Sequence, residues 1–320
     1  FKYHKCSPCL EANLRRPSHS MAHPPRASPT FGPGEKLCLD SSGKYALTAP
    51  GGNTHSILAT CEVSRIRWAF PVPTISDDTI ITVLDLWTSH SPVPLRHLHV
   101  DAQFETKAVR QWCSSRQIAL TGSSPDVHQQ NGVAEATVRL VKDTARANAI
   151  GGGLSPTILD YNHAYSCIQL SRSPTVIAQT SPESRWPQAP FRHPQLRLIP
   201  FGCKAWGHTG RDPARPNTAA RSTVGIFVGH DPIHCGYLLY HSDSQKVKTY
   251  AHAEFDFHSF PFVDQQLIGD RPATLMDHDW RRHANSHLRI VADEDAANYL
   301  VGKQVELTLP QKWYPQYPST

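Results

Sequence analysis

The sequence predicts an α/β fold, a mixed sheet with flanking helices, followed by a small β-barrel. Three observations carry this reading. Apolar, β-branched runs of strand length alternate with helix-period segments between residues 37 and 180. Five short strand-like runs then follow at close intervals between 198 and 257, the spacing of a small barrel. Between the two, Ser181 to Pro194 is rich in proline and reads as a linker.

Taken in order, the first segment is basic and irregular. Phe1 to Gly34 carries Lys2, Lys5, Arg15, Arg16 and Arg26 against Glu11, and prolines at 17, 24, 25, 29 and 33 forbid a long helix. Cys6-Ser7-Pro8-Cys9 is half of a zinc site, because a structural site takes four ligands. His4, His19 and His23 lie at no matching spacing. The plain alternative is an unstructured basic arm.

Leu37 to Asp40 reads as the first strand. Ile57-Leu58-Ala59-Thr60 and Ile66-Arg67-Trp68-Ala69-Phe70 read as its neighbours. Ser76-Asp77-Asp78 caps a helix with Ile80, Val83, Leu84 and Trp87 on one side, which makes Asp77, Asp78 and Asp85 cap and surface residues. Leu95 to Val100 is a strand ending at Asp101, and Thr106 opens a helix with Val109, Trp112 and Cys113 inward. Ile118-Ala119-Leu120 is a short strand, and Gly122 to Gly132 a loop. The helix after Gly132 sets Val133, Thr137, Leu140, Val141, Thr144 and Asn148 on a mostly apolar face. A further helix holds Leu159, His163 and Cys167 and closes at Arg172-Ser173-Pro174.

The expected division is therefore 1–36, a lead-in; 37–180, the α/β domain; 181–196, a linker; 197–261, the barrel; and 262–320, a poorly structured tail. Cys203 and His208 read as packing and loop residues of the barrel.

Chemistry concentrates between Asp101 and Ile150. Glu135, Arg139, Lys142 and Arg146 fall at steps of four, three and four, so one helical stripe carries a carboxylate above three cations. Asp143 flanks the stripe and is placed to pair with one of them. Asp40 and Asp101 each end a strand. Two acids at strand ends and one on a helix can meet at one sheet edge, where hard oxygen ligands suit Mg²⁺ or Mn²⁺ rather than zinc. Two such ions are what phosphodiester chemistry uses. Singly, each acid has a plainer role: Asp40 in a turn, Asp101 capping a loop, Glu135 favouring a helix N-terminus. Arg139, Lys142 and Arg146 have one too, as a solvated face. Gln129, Gln130 and Asn131 offer hydrogen bonds to DNA, or simply form the turn and helix cap.

Asp40, Asp101 and Glu135, with the run Asn131-Gly132-Val133-Ala134-Glu135, resemble the D,D-x-E core of retroelement integrases in the version of copia-type LTR retrotransposons. The likeness extends from Cys6/Cys9 to about Pro261; Phe201-Gly202-Cys203 and Gly225-Ile226-Phe227-Val228-Gly229 resemble the SH3-like domain that follows that core. It implies a ribonuclease-H-like core with Asp40, Asp101 and Glu135 as catalytic metal ligands. It further implies an enzyme that trims and joins double-stranded element DNA ends into target DNA as a homo-oligomer, in the nucleus and in cytoplasmic element particles. Gln130, Asn131, Arg139, Lys142 and Arg146 are the implied DNA contacts. Zinc at Cys6 and Cys9 needs a His pair upstream of Phe1, so the chain is expected to be a piece of a longer polyprotein. The family's pattern is disturbed after the second acid. Asp101-Ala102-Gln103-Phe104-Glu105 stands where an Asn-Gly pair and then Glu-Phe are usual, and the spacing to Glu135 is shorter than the common pattern. His128 and Ala136 replace the usual proline and arginine. A catalytically decayed DNA-binding remnant and a ribonuclease-H-like nuclease are the alternatives; the barrel and the Cys pair favour the integrase arrangement over the latter.

Composition is permissive. A formal charge of +5 favours a polyanionic partner weakly. Eight scattered cysteines form no disulfide framework and predict reduced thiols inside a cell, and no stretch is apolar and long enough to span a membrane.

Overall fold

The structure, a computed structural model, describes residues 8, 31–49, 51–122, 132–155, 158–174, 180–186, 198–210, 220–231 and 236–266. Strands β1 (Lys36–Ser41), β2 (His55–Cys61) and β3 (Arg67–Val72) form an antiparallel meander. Strands β4 (His97–Val100) and β5 (Ala119–Gly122) continue the sheet parallel to β1, in the order β3-β2-β1-β4-β5. Pro71 is tolerated because β3 is an edge.

Strand alternation sorts the side chains into two layers. Leu37, Leu39, Ile57, Ala59, Leu98 and Val100 share a core with the inner faces of α1 (Asp77–His90) and α2 (Lys107–Ser115). Ser76 and Thr79 form a capping box at α1, and Thr106 caps α2 by accepting from the Val109 N–H. Trp112 Nε1 donates to Asp85 Oδ1 at 2.8 Å, so Asp85 is a brace between these helices.

The other face lies under α3 (Gly132–Gly152) and α4 (Leu159–Arg172), where Leu58 packs with Val141 and Cys167 and Thr60 donates to Thr137 Oγ1 at 2.8 Å. The buried line of α3 is Ala134, Thr137, Val141 and Ala145, a part-turn away from the face read in the sequence. Small residues win there because the helix lies close on β1 and β2, leaving Val133 and Leu140 half-buried. Asn148 is not apolar lining either: its amide reaches Asn162, Ser166 and Gln169 on α4. Helix α4 is buried on two sides, with His163 and Cys167 toward the sheet and Tyr165 and Ile168 toward the barrel.

The barrel comprises β6 (Lys204–His208), β7 (Ser222–His230), β8 (Tyr237–His241), β9 (Lys246–Tyr250) and β10 (Ala253–Asp256), ordered β10-β6-β7-β8-β9. It sits directly on the core. The Tyr165 hydroxyl donates to the Ile199 carbonyl at 2.5 Å, and its ring packs on Phe201 and Phe227. Gly202, at φ +88°, approaches Gly152 so closely that a Cβ there would lie 2.5 Å from its Cα. A short helix, α5 (Pro261–Gln266), buries Val263 beside the end of α3, so structure runs into the segment expected to be an unordered tail. Nor is the linker wholly a spacer: Trp186 enters the main core, edge-on to Trp68 and Trp87. Cys38, Cys61, Cys113, Cys167 and Cys203 are buried and unpaired. No helix among the described residues is long and apolar enough to cross a membrane.

Candidate functional site

The parallel register of β1 and β4 ends at Leu39 opposite Val100, which puts Asp40 and Asp101 at neighbouring strand ends. Parallel neighbours lie about 4.8 Å apart. Both acids belong to the sheet face opposite Leu39 and Val100, the face that α3 crosses. Glu135 is exposed in the first turn of that helix, with Arg139, Lys142 and Arg146 exposed below it. Asp40, Glu135, Val138, Arg139, Lys142, Asp143 and Arg146 line one open pocket of about 370 Å³.

Burial first, opposed by the Ser41 N–H and the Lys142 ammonium and aided by the negative charges of Asp101 and Glu135, raises the Asp40 carboxyl to about 6. The Ser41 N–H donates to Asp40 Oδ1 at 2.6 Å, and Gln103 Nε2 donates to Ser41 Oγ at 3.0 Å. Gln103 thus braces the residue next to Asp40, a link across 62 positions that spacing does not reveal. Arg146 is held by Asp143 at 3.1 Å, as the flanking position of Asp143 suggests.

The disturbed run after Asp101 folds as a 3-10 turn, Ala102–Phe104, with Phe104 fully buried in the main core. Glu105 turns away to pair with Arg110 at 2.9 Å and to lie against Gly122. On the Asp101 side, His99 Nδ1 shares the Thr121 hydroxyl with His97. Burial holds His99 below its usual range, and its Nε2 has no partner.

The donor set of the three acids is all oxygen and fits a hard divalent ion. Their spacing is looser than a cage: among the described residues, no three His, Cys, Asp or Glu are gathered closely enough to hold a metal. Cys6, Cys9, Gln130 and Asn131 lie outside the described residues. A larger recess of about 530 Å³ opens on the barrel, lined by Trp206, His208, Tyr237, His252 and Glu254, remote from the acids in the chain and with a single carboxylate.

Residues 203–267 match the retroviral polymerase SH3-like domain family. The chain is 25% identical over 215 residues to the Retrovirus-related Pol polyprotein from transposon TNT 1-94 of Nicotiana tabacum, covering 65% of this chain and 16% of that protein. It is 23% identical over 202 residues to the corresponding polyprotein from transposon RE1 of Arabidopsis thaliana, covering 62% and 14%. The chain thus spans about a sixth or less of these relatives. Among solved structures, the catalytic core domain of BIV integrase matches at 18% identity and a TM-score of 0.38, over 48% of this chain and 93% of that one. The HTLV-2 integrase catalytic core domain, in complex with magnesium and in a trimeric form, matches at 12% identity and 0.39, over 49% and 98%. Transposon Pol polyproteins thus align along nearly two thirds of this chain, and the retroviral polymerase SH3-like family matches its barrel.

Proposed function

We propose that the chain trims and joins the ends of double-stranded element DNA into target DNA, in a reaction that depends on Mg²⁺ or Mn²⁺. The observation that carries the reading is Asp40 beside Asp101 at parallel strand ends, facing a helix whose exposed stripe runs from Glu135 to three cations. Asp40 and Asp101 would hold both ions or share one, and Glu135 would complete the second position. When bound, such ions activate a water or hydroxyl and stabilise the leaving oxygen.

The chain's own residues do the rest. The Ser41 N–H orients Asp40, and Gln103 fixes Ser41. Arg139, Lys142 and Arg146 hold phosphates of the duplex, a salt-sensitive and sequence-blind contact that positions the strand over the acids. Glu135, exposed on the first turn of α3, would be the helix's ligand to such an ion. Joining uses two DNA ends, so the active form is a homo-oligomer, working in the nucleus.

The test is Mg²⁺-dependent joining of a short duplex to a plasmid. Asp40→Ala, Asp101→Ala and Glu135→Ala should each abolish it; joining that survives Glu135→Ala would remove that residue from the site. A second reading, a DNA-binding remnant without turnover, draws on the ungathered acids and on the Phe104-Glu105 order. It requires duplex affinity that is the same in Mg²⁺ and in chelator.

A further inference from the structure

A second concentration of charge lies at the β3 edge of the core sheet, on residues that the proposed chemistry does not use. Arg67 is only 7% exposed, and its Nε has no hydrogen-bond partner. Among the described residues no carboxylate is paired with it, and Glu183, which opens the turn leading to Arg185, is taken by Arg172. That pair is close (Arg172 Nε to Glu183 Oε2 3.1 Å, Nη2 donating to Oε1 at 3.1 Å), although Nε itself is not aligned for a hydrogen bond.

The fold closes a ring around this point. The Arg67 N–H donates to Ser171 Oγ at 3.0 Å, beside Arg172. Glu183 opens the 3-10 turn Glu183–Arg185, and the next residue, Trp186, packs edge-on against Trp68, the neighbour of Arg67. Arg185 is thereby brought to the same edge, and its Nε is also buried without a partner. Arg65, at φ +65°, leads the chain into β3. Arg65 and Arg185 are the cations whose charges reach Arg67, and no carboxylate is among the charges that do. Burial, then the charges of Arg65 and Arg185, hold the Arg67 pKa below its usual range.

A guanidinium withdrawn from water without a counter-charge is costly, and the cost is relieved when an anion joins it. Excess positive charge with two unpartnered N–H groups calls for a multiply charged, multi-oxygen ligand. Phosphate meets both demands, because guanidinium forks match its oxygens and one carboxylate would leave most of the charge uncompensated. We propose that Arg67 and Arg185, flanked by Arg65 and Arg172, form an oxyanion site that takes a phosphate group. The phosphate comes either free from solution or from a nucleic-acid backbone. The site does not depend on the three acids, and its test reads no catalysis.

The experiment compares the thermal midpoint of the full chain in inorganic phosphate and in chloride at equal ionic strength. For the wild type the midpoint should climb with phosphate as binding to the folded state requires. Arg67→Met should lose that climb and, without phosphate, melt no lower than wild type, since an unpaired buried charge has gone. A structural role alone would instead lower its midpoint and leave the phosphate response intact, which overturns the proposal. Arg185→Gln, at a half-buried position, repeats the test should Arg67→Met fail to fold: loss of most of the response supports the site, an unchanged response overturns it. Binding of a short duplex in chelator separates the two sources. If backbone phosphates occupy the site, each variant should lower the salt slope by about one; an unchanged slope beside a lost phosphate response assigns it to free phosphate. No phosphate response in wild type together with unchanged slopes in both variants overturns the proposal.

Discussion

Asp40 and His163 stand on the same face of the core sheet and are strained in opposite senses. The Asp40 carboxyl, raised to about 6 from an ordinary 3.8, holds its proton more tightly folded than unfolded. Its charge therefore costs stability above about pH 6, and the cost fades as the pH falls toward the unfolded value. Asp40→Asn should stabilise the protein at pH 7 in chelator by about 1 kcal/mol, allowing for solvent screening, a gain of a few degrees in midpoint. Mg²⁺ should then raise the midpoint of the wild type but not of the variant; equal responses would count against Asp40 as a ligand. His163, 2% exposed, is lowered to about 4, by burial first and then by Lys142. It stays neutral in the fold while the unfolded chain takes up a proton, so stability falls as the pH drops from 6.5 toward 4, by up to about 3 kcal/mol. Denaturant unfolding at neutral and at mildly acid pH should show a shallower loss in His163→Gln; parallel losses would mean that His163 is not the titrating group.

At the scale of elements, α3 carries both jobs of the site on two faces. Its inner line of Ala134, Thr137, Val141 and Ala145 lets the helix lie close on β1 and β2, which puts Glu135 on the same open pocket as Asp40. Its outer stripe presents Arg139, Lys142 and Arg146 to one pocket. The cations are not equivalent, because Arg146 is already held by Asp143. Lys142→Gln and Arg139→Gln should each lower the salt slope of duplex binding by about one, and Arg146→Gln by less. Equal effects at all three positions would show that DNA displaces the Asp143 pair. The stripe was legible because a period of 3.6 needs no partner to be recognised. The inner line was not, since side-chain size at a close approach is decided by the sheet beneath. Gln103 bracing Ser41 and Asn148 clasping α4 were equally hidden, being bonds between distant segments.

For the whole molecule, α4 is the hinge-pin between core and barrel. Tyr165 is 1% exposed, bonded to the Ile199 carbonyl and packed on Phe201 and Phe227. Tyr165→Ala should cost about 3–5 kcal/mol, as loss of a large buried aromatic does. Calorimetry should then resolve separate core and barrel transitions where the wild type gives one; a single transition in the variant would show that other contacts hold the two together. Tyr165→Phe, which removes only the hydroxyl, should cost about 1 kcal/mol.

By itself the sequence determined the order of strands and helices, the caps at Ser76 and Thr106, the five barrel strands and the three acids in their chain order. These are local properties: periodicity, β-branching and turn chemistry act over a few residues. Only the tertiary structure decided that Asp40 and Asp101 end side by side, that Trp186 joins the core, that the barrel seats on Tyr165, and that the Arg67 Nε is buried without a hydrogen-bond partner. Each depends on strand register and on which buried groups find partners, and both are settled by contacts between residues far apart in the chain.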